Sequence, residues 1–183
     1  MSQTQTAGTS TVWAIDPAHS EVGFAVKHLM VATVKGVFRS FTGKVVLNEQ
    51  NLAASSIEAE IDVASIDTRQ EQRDAHLRSP DFFDAENFAT MTFRSTKIEK
   101  LRDGNLRATG ELTIRGATRE VVLDVEETGR GRDPWGGERI GYSAVTKINR
   151  DDFGLTWNQA LETGGVLVSP DVKITLDVEV VKQ

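Results

Sequence analysis

The feature that most constrains this chain is a period of two in its apolar residues, repeated in segment after segment. From Ser20 to His28, Val22, Phe24 and Val26 are large and apolar, while Glu21, Gly23, Ala25 and Lys27 between them are small or charged. Successive side chains of a strand point to opposite faces, so this pattern gives a strand with one buried face. The same period runs through Ile57/Ala59/Ile61/Val63, Leu106/Ala108/Leu112/Ile114, Val121/Leu123/Val125, Ile140/Tyr142/Ala144/Ile148 and Val172/Ile174/Leu176/Val178/Val180. Weaker alternation covers Val37 to Asn48 through Phe41, Val45 and Leu47, and Thr90 to Ile98 through Met91 and Phe93. Eight long strands follow, with room for a short additional one at Val12 to Ile15.

One packed face and one wet face over so many segments mark antiparallel rather than βαβ architecture. Asp103-Gly104-Asn105 and Arg115-Gly116 are short enough for hairpins, so the C-terminal half reads as a meander. One helix is expected over residues 68–78, with Thr68 to Glu71 fitting a capping box and Ser79-Pro80 as the stop. It has only Ala75 and Leu77 to bury, so it should cover an end or edge, with Phe82-Phe83 as anchors. Eight strands with a single apolar face stack as two sheets or close on themselves, and closure removes exposed edges. The expected fold is therefore all-β, a single antiparallel eight-stranded barrel over residues 11–183 behind a disordered tail at residues 1–10. A barrel of this size is filled by side chains or holds one small ligand. The inward set would make any cavity apolar, and an apolar lining selects an apolar ligand.

The charge balance and residue usage exclude several function classes. A net charge of −6 disfavours polyanion partners, so no nucleic acid is expected. The chain has no Cys, hence no thiolate nucleophile and no Cys-based metal site. The first ten residues lack the charged and apolar regions of a secretory signal. The longest apolar runs, such as Leu29 to Ala32, fall far short of the roughly 18 residues needed to span a bilayer. A cytoplasmic protein without stable membrane insertion is the expectation. Gly-x-Ser-x-Gly, His-Glu-x-x-His and P-loop motifs are missing, which favours a binding module over an enzyme.

Individual polar residues carry competing readings. His28 is in phase with Phe24 and Val26, so it serves as a structural histidine, contacts a ligand head group, or, if the chain is an enzyme, acts as general base on an amphiphile. His19 is read as fixing a turn through side-chain-to-backbone bonds, and His76 as exposed or in a helix-to-loop contact. Asp151 or Asp152 should cap a short helical turn, since a cation site wants six or more oxygens and nothing else acidic clusters locally. The Gly129 to Gly137 stretch is basic and glycine-rich but lacks the Lys-Ser/Thr and helix of a phosphate loop, so it reads as a hairpin loop. Trp157 fits either core filling or a pocket wall. The expected ligand-facing set is Phe24, Val26, His28, Phe41, Met91 and Phe93, together with Tyr142, Ala144, Ile148, Trp157, Leu176 and Val178. Glu58, Glu60, Lys173 and Asp177 fall on the outward phase. No catalytic residue, metal ligand or cofactor is expected.

Several segments in order carry a family resemblance. They include Trp13-Ala-Ile-Asp-Pro-Ala-His-Ser20, Val22-Gly-Phe-Ala-Val-Lys-His28, Val34-Lys-Gly-Val-Phe38, Arg73-Asp-Ala-His-Leu77, Ser79-Pro-Asp-Phe-Phe-Asp84, Gly110-Glu-Leu-Thr-Ile-Arg-Gly116 and Asn149-Arg-Asp-Asp-Phe-Gly-Leu155. Together they resemble the YceI-like family, bacterial polyisoprenoid-binding proteins with a lipocalin-like barrel. The chain departs from it at Phe88-Ala89 and Ser169-Pro170, both expected to be loop positions. The resemblance implies an elongated hydrophobic pore holding an isoprenoid, an isoprenoid quinone, a polyprenyl phosphate or a similar lipid for sequestration or transport, without catalytic residues and often in a homodimer.

Overall fold

The computed structural model describes residues 8–183, so most of the tail expected to be disordered lies outside the described residues. Eight antiparallel strands close into a barrel, and three of them are broken in the middle. The first is β1 (Thr11–Ile15) continued by β2 (Glu21–His28), the second β3 (Ala32–Phe38) continued by β4 (Phe41–Leu47), and the third β5 (Ser56–Asp62) continued by β6 (Ile66–Asp67). The remaining five are uninterrupted: β7 (Thr90–Lys100), β8 (Leu106–Ile114), β9 (Ala117–Arg132), β10 (Glu138–Asn149) and β11 (Val168–Lys182). Closure falls on β11, which pairs with β10 along one edge and with both β1 and β2 along the other.

The breaks lie side by side across the first three strands. A 3-10 turn at Pro17–His19 separates β1 from β2, with the Asp16 carboxylate accepting from Ala18 N at 3.0 Å. Arg39-Ser40 separates β3 from β4, and a 3-10 turn at Val63–Ser65 separates β5 from β6. Arg39 N donates to Ser65 O and Asp62 N to Ser40 O, so the two adjacent breaks satisfy each other's backbone groups. Each break also shifts the parity of the inward face. Ile15 is followed by Val22, Phe38 by Phe41, and Ile61 by Ile66, and all six pack into the core. A bulge between Ser95 and Lys97 does the same in β7, where Phe93 and Ile98 are both buried.

Below the breaks the third strand is only two residues long, and the crossover to β7 fills the space. The helix α1 (Glu71–Arg78) lies there, shorter than expected. Its cap is Gln70, whose side chain accepts from Arg73 N at 2.5 Å, and not Thr68. Thr68 is instead buried, donating its N–H (2.9 Å) and hydroxyl (2.5 Å) to the buried Asp74 carboxylate. Arg73 donates back to Thr68, so a polar knot rather than an apolar stripe seats the helix. Leu77, Phe82 and Phe83 supply the apolar contacts to the core.

Two further details correct the sequence reading, and a third adds to it. Asn149, and not Asp151 or Asp152, caps the 3-10 turn at Arg150–Phe153, accepting from Asp151 N at 2.9 Å. Ser169-Pro170 lies inside β11, where the register to β2 shifts between Val168 and Val172. Proline offers no N–H to a ladder, and this irregularity is where a strand tolerates it. Finally, the β2–β3 hairpin turns on Leu29 (φ 53°) and Met30 (φ 57°), closed by Val31 N to His28 O at 3.0 Å. Two non-glycine residues in the left-handed region cost about 1–2 kcal/mol each. The Arg115-Gly116 hairpin makes the same kind of turn with glycine in the second place.

Candidate functional site

The inward faces of all eight strands surround a cavity of about 280 Å³. A single enclosed water needs only about 10–15 Å³, so the barrel is not packed solid. It runs from Leu52 and Tyr142 near the upper end, where Thr11 and Gln183 lie, to Phe153 and Leu155 near the lower end. Along β10 alone the lining extends from Tyr142 to Ile148, roughly 20 Å of strand at ~3.3 Å per residue. Two glycines make room for its aromatic walls. A Cβ on Gly36 would sit 2.4 Å from the Phe24 ring, and one on Gly110 would sit 2.6 Å from both the Phe93 ring and the Arg94 carbonyl.

The lining is almost wholly aliphatic and aromatic. Its polar side chains are Thr42, Ser55, Tyr142, Thr146 and Arg150. Burial and the nearby Glu127 push the Tyr142 hydroxyl up to about 12, so it stays neutral. Arg150 is buried, which pulls its pKa down. Its guanidinium donates to the carbonyls of Leu155 (2.5 Å), Trp157 (2.9 Å), Ser169 (3.0 Å) and Val168 (3.3 Å). Those acceptors tie the loop after β10 to the irregular start of β11, so Arg150 holds the floor of the cavity together. No carboxylate among the described residues lines the cavity.

Ten of the twelve expected residues line this space: Phe24, Val26, Phe41, Met91 and Phe93 from the first four strands, and Tyr142, Ala144, Ile148, Leu176 and Val178 from the last two. His28 and Trp157 do not. His28 is the last residue of β2, half-buried between Ala32 and Val168; Val168 lines the cavity, but on β2 the lining ends at Val26. A general base at His28 would therefore stand outside the cavity. The Trp157 ring packs edge-on to His76 at 4.7 Å and against Phe82 at 5.3 Å, and Phe82 forms the wall in front of it. His76 also pairs with Asp81 at 2.8 Å, a helix-to-loop contact. Sequence reasoning did not assign Leu52, Leu77, Phe82, Phe83, Phe153 and Leu155 to the lining. They lie in turns and the helix, where no period of two exists to assign a face.

Ionic clusters bind the outside. Arg130 of β9 reaches Glu49 in the turn after β4 as well as its own neighbour Glu127, strapping the upper rim near Tyr142. At the first strand break, ligand atoms of Asp16, His19 and Glu179 lie within 4.8 Å of one another. Arg139 donates to Asp16 (2.8 Å) and Glu179 (2.5 Å), so a guanidinium supplies the positive charge there. His19 pairs with the Asp16 carboxylate at 2.9 Å rather than with backbone groups. Its hydrogen bond to Asp16 raises its pKa, while His19 and Arg139 hold the Asp16 carboxyl down at about 2.

Comparison with known proteins follows the same outline. Residues 13–180 match the family model described as the YceI-like domain. A UPF0312 protein of Vibrio cholerae is 40% identical over 138 residues, 75% of this chain and 73% of that protein. Among solved structures, Burkholderia cenocepacia BcnA superposes with a TM-score of 0.79 at 26% identity, covering 90% of this chain and 98% of that one. A domain from Saccharophagus degradans described as polyisoprenoid-binding shares the fold, with a TM-score of 0.67 at 13% identity over 94% of this chain and 99% of that domain.

Proposed function

The chain belongs to the YceI-like family, and from that premise we propose that it binds one long apolar lipid chain inside the barrel, an isoprenoid, isoprenoid quinone or polyprenyl phosphate, and carries or stores it without transforming it. The observation that carries this reading is the continuous apolar cavity, whose single charged lining residue has its N–H groups turned to backbone carbonyls. Removing apolar surface from water is worth roughly 25 cal/mol per Å², so a long chain gains most of its affinity along its length and little from its head. Neutral Tyr142 fits the same environment. The polyisoprenoid-binding description of the Saccharophagus degradans domain supports the ligand class by likeness of fold.

Native mass spectrometry with organic extraction, followed by thermal shift with added prenyl lipids, tests this. The purified protein is expected to retain an apolar molecule from cells and to gain thermal stability from prenyl lipids. Phe24→Leu and Tyr142→Phe keep the lining apolar and are expected to alter chain preference while the fold persists. Outward Lys173→Ala and Glu60→Ala are expected to leave retention unchanged. If the outward pair weakens retention at unchanged stability while the inward pair does not, the ligand sits on the surface and the interior mechanism is wrong.

A further inference from the structure

The lower end of the barrel exposes apolar side chains on a strained turn. Met30 is 70% and Val31 85% exposed, with Leu29 beside them at 39%. Leu29 N bonds to Leu167 O, which brings the half-exposed Val166 loop alongside and widens the apolar patch. Leu29 and Met30 hold left-handed backbone that Asn-Gly would adopt with less strain, so the fold bears a cost to present these two residues in water.

The sheet face above this turn is basic. Ala25 of β2 pairs with Lys35 on one side and Lys173 on the other, and Lys173 pairs with Lys147, so three lysines stand in one row across four strands. Lys27 shares the outward phase of Ala25, two residues nearer the turn. Like charges set opposite one another weaken a sheet, so this row does not serve stability. Lys147 is paired with Asp171 at 3.3 Å, and two further carboxylates of this outward phase, Glu21 on β2 and Asp177 on β11, face each other four residues farther from the turn. Among the described residues Lys27, Lys35 and Lys173 have no carboxylate within 4.0 Å; the other ion-paired lysines are Lys97 and Lys182, elsewhere on the barrel. The opposite end supplies the contrast. Trp135 is 87% exposed there, but Arg130, Arg132 and Arg139 around it are all neutralised by carboxylates, and Asp133 fixes the loop backbone.

We propose that the Leu29–Val31 turn and the Lys27/Lys35/Lys173 face form a docking surface for an anionic lipid bilayer, with the apolar turn set among the headgroups and the lysines against their charge. A net charge of −6 opposes attraction of the molecule as a whole. The local basic face fixes which end meets the membrane, and docking is peripheral and reversible, as expected of a short apolar segment with a few basic neighbours.

Flotation of the full chain with phosphatidylcholine vesicles, with and without phosphatidylserine, tests the proposal. The protein is expected to float with phosphatidylserine vesicles at low salt, to be released by high salt, and to float poorly with phosphatidylcholine alone. A lysine near an anionic surface is worth roughly a five-fold factor, so K35Q/K173Q is expected to lower partition about twenty-five-fold. Leu29→Asn with Met30→Gly relieves the turn strain, so this variant keeps or gains thermal stability while losing at least about ten-fold in partition. Trp135→Ala is expected to change nothing. Equal binding to neutral vesicles, binding lost on Trp135→Ala but kept in the turn variant, or no binding at all would each overturn the proposal. So would a lipid-free dimer that the turn variant dissociates, since the patch would then belong to a second copy of the chain.

Discussion

The two halves of this barrel are built from the same alternating strands and differ in what completes them. Above the line of breaks, eight strands close a full ring, and Trp13, Leu47, Ile140 and Val180 pack where β1, β4, β10 and β11 meet. Below it, β6 contributes two residues, and the ring is finished by α1, the aromatic trio His76, Phe82 and Trp157, and the Arg150 floor. A ladder satisfies every backbone group locally, whereas a plug of helix and loop depends on a few specific side chains. The lower half should therefore open first, and with it access to the cavity.

The strongest challenge to that contrast is a charge in the closed ring. Val180 is 1% exposed, and Val180→Asp is expected to prevent folding or to cost more than about 4 kcal/mol in urea denaturation, because a buried carboxylate has no partner there. Milder destabilisation would mean that the closure is looser than its packing implies. The two glycines come next. Gly110→Ala meets a backbone oxygen that cannot retreat and should cost about 2–3 kcal/mol, while Gly36→Ala meets the Phe24 ring, which borders open cavity, and at 2.9 Å the Cγ2 of the buried Thr68, and should cost about 1–2 kcal/mol with a change in ligand retention. Equal costs would erase the difference between the halves at these sites.

Asp74→Ala probes the plug itself. It strands the Thr68 N–H and hydroxyl and should cost about 2 kcal/mol, with faster hydrogen exchange confined to residues 68–78. Exchange there as slow as in Val172 to Val180 of the native protein would contradict the assignment of the lower half as the weaker one. The smallest effect concerns acid. Asp16 has a folded pKa of about 2 against an ordinary 3.8, so its contribution is present above pH 4 and lost as pH falls from about 4 to 2. Asp16→Asn is expected to remove part of the acid-induced fall in midpoint temperature over that window.

The period of two made the barrel legible, including the inward phase of ten lining residues, because alternation is a local consequence of strand geometry. The line of breaks left a weaker trace, the parity slips from Ile15 to Val22, Phe38 to Phe41 and Ile61 to Ile66; the second falls inside the single strand expected from Val37 to Asn48, and nothing local joins the three into one feature. The placement of His28 was misleading for a related reason. Parity tells which face a residue takes but not how far along the strand the cavity extends.

What the sequence determined by itself was the strand set, their antiparallel order, the apolar interior and the polar exterior, each following from side-chain spacing and short turns. Tertiary structure alone decided where the first three strands bend together, that Gln70 and the Thr68–Asp74 pair seat the helix, that Arg150 is spent on four carbonyls, and that Phe82 rather than Trp157 forms the wall. These depend on which backbone groups are left without ladder partners once the ring closes, and such vacancies exist only after distant segments meet.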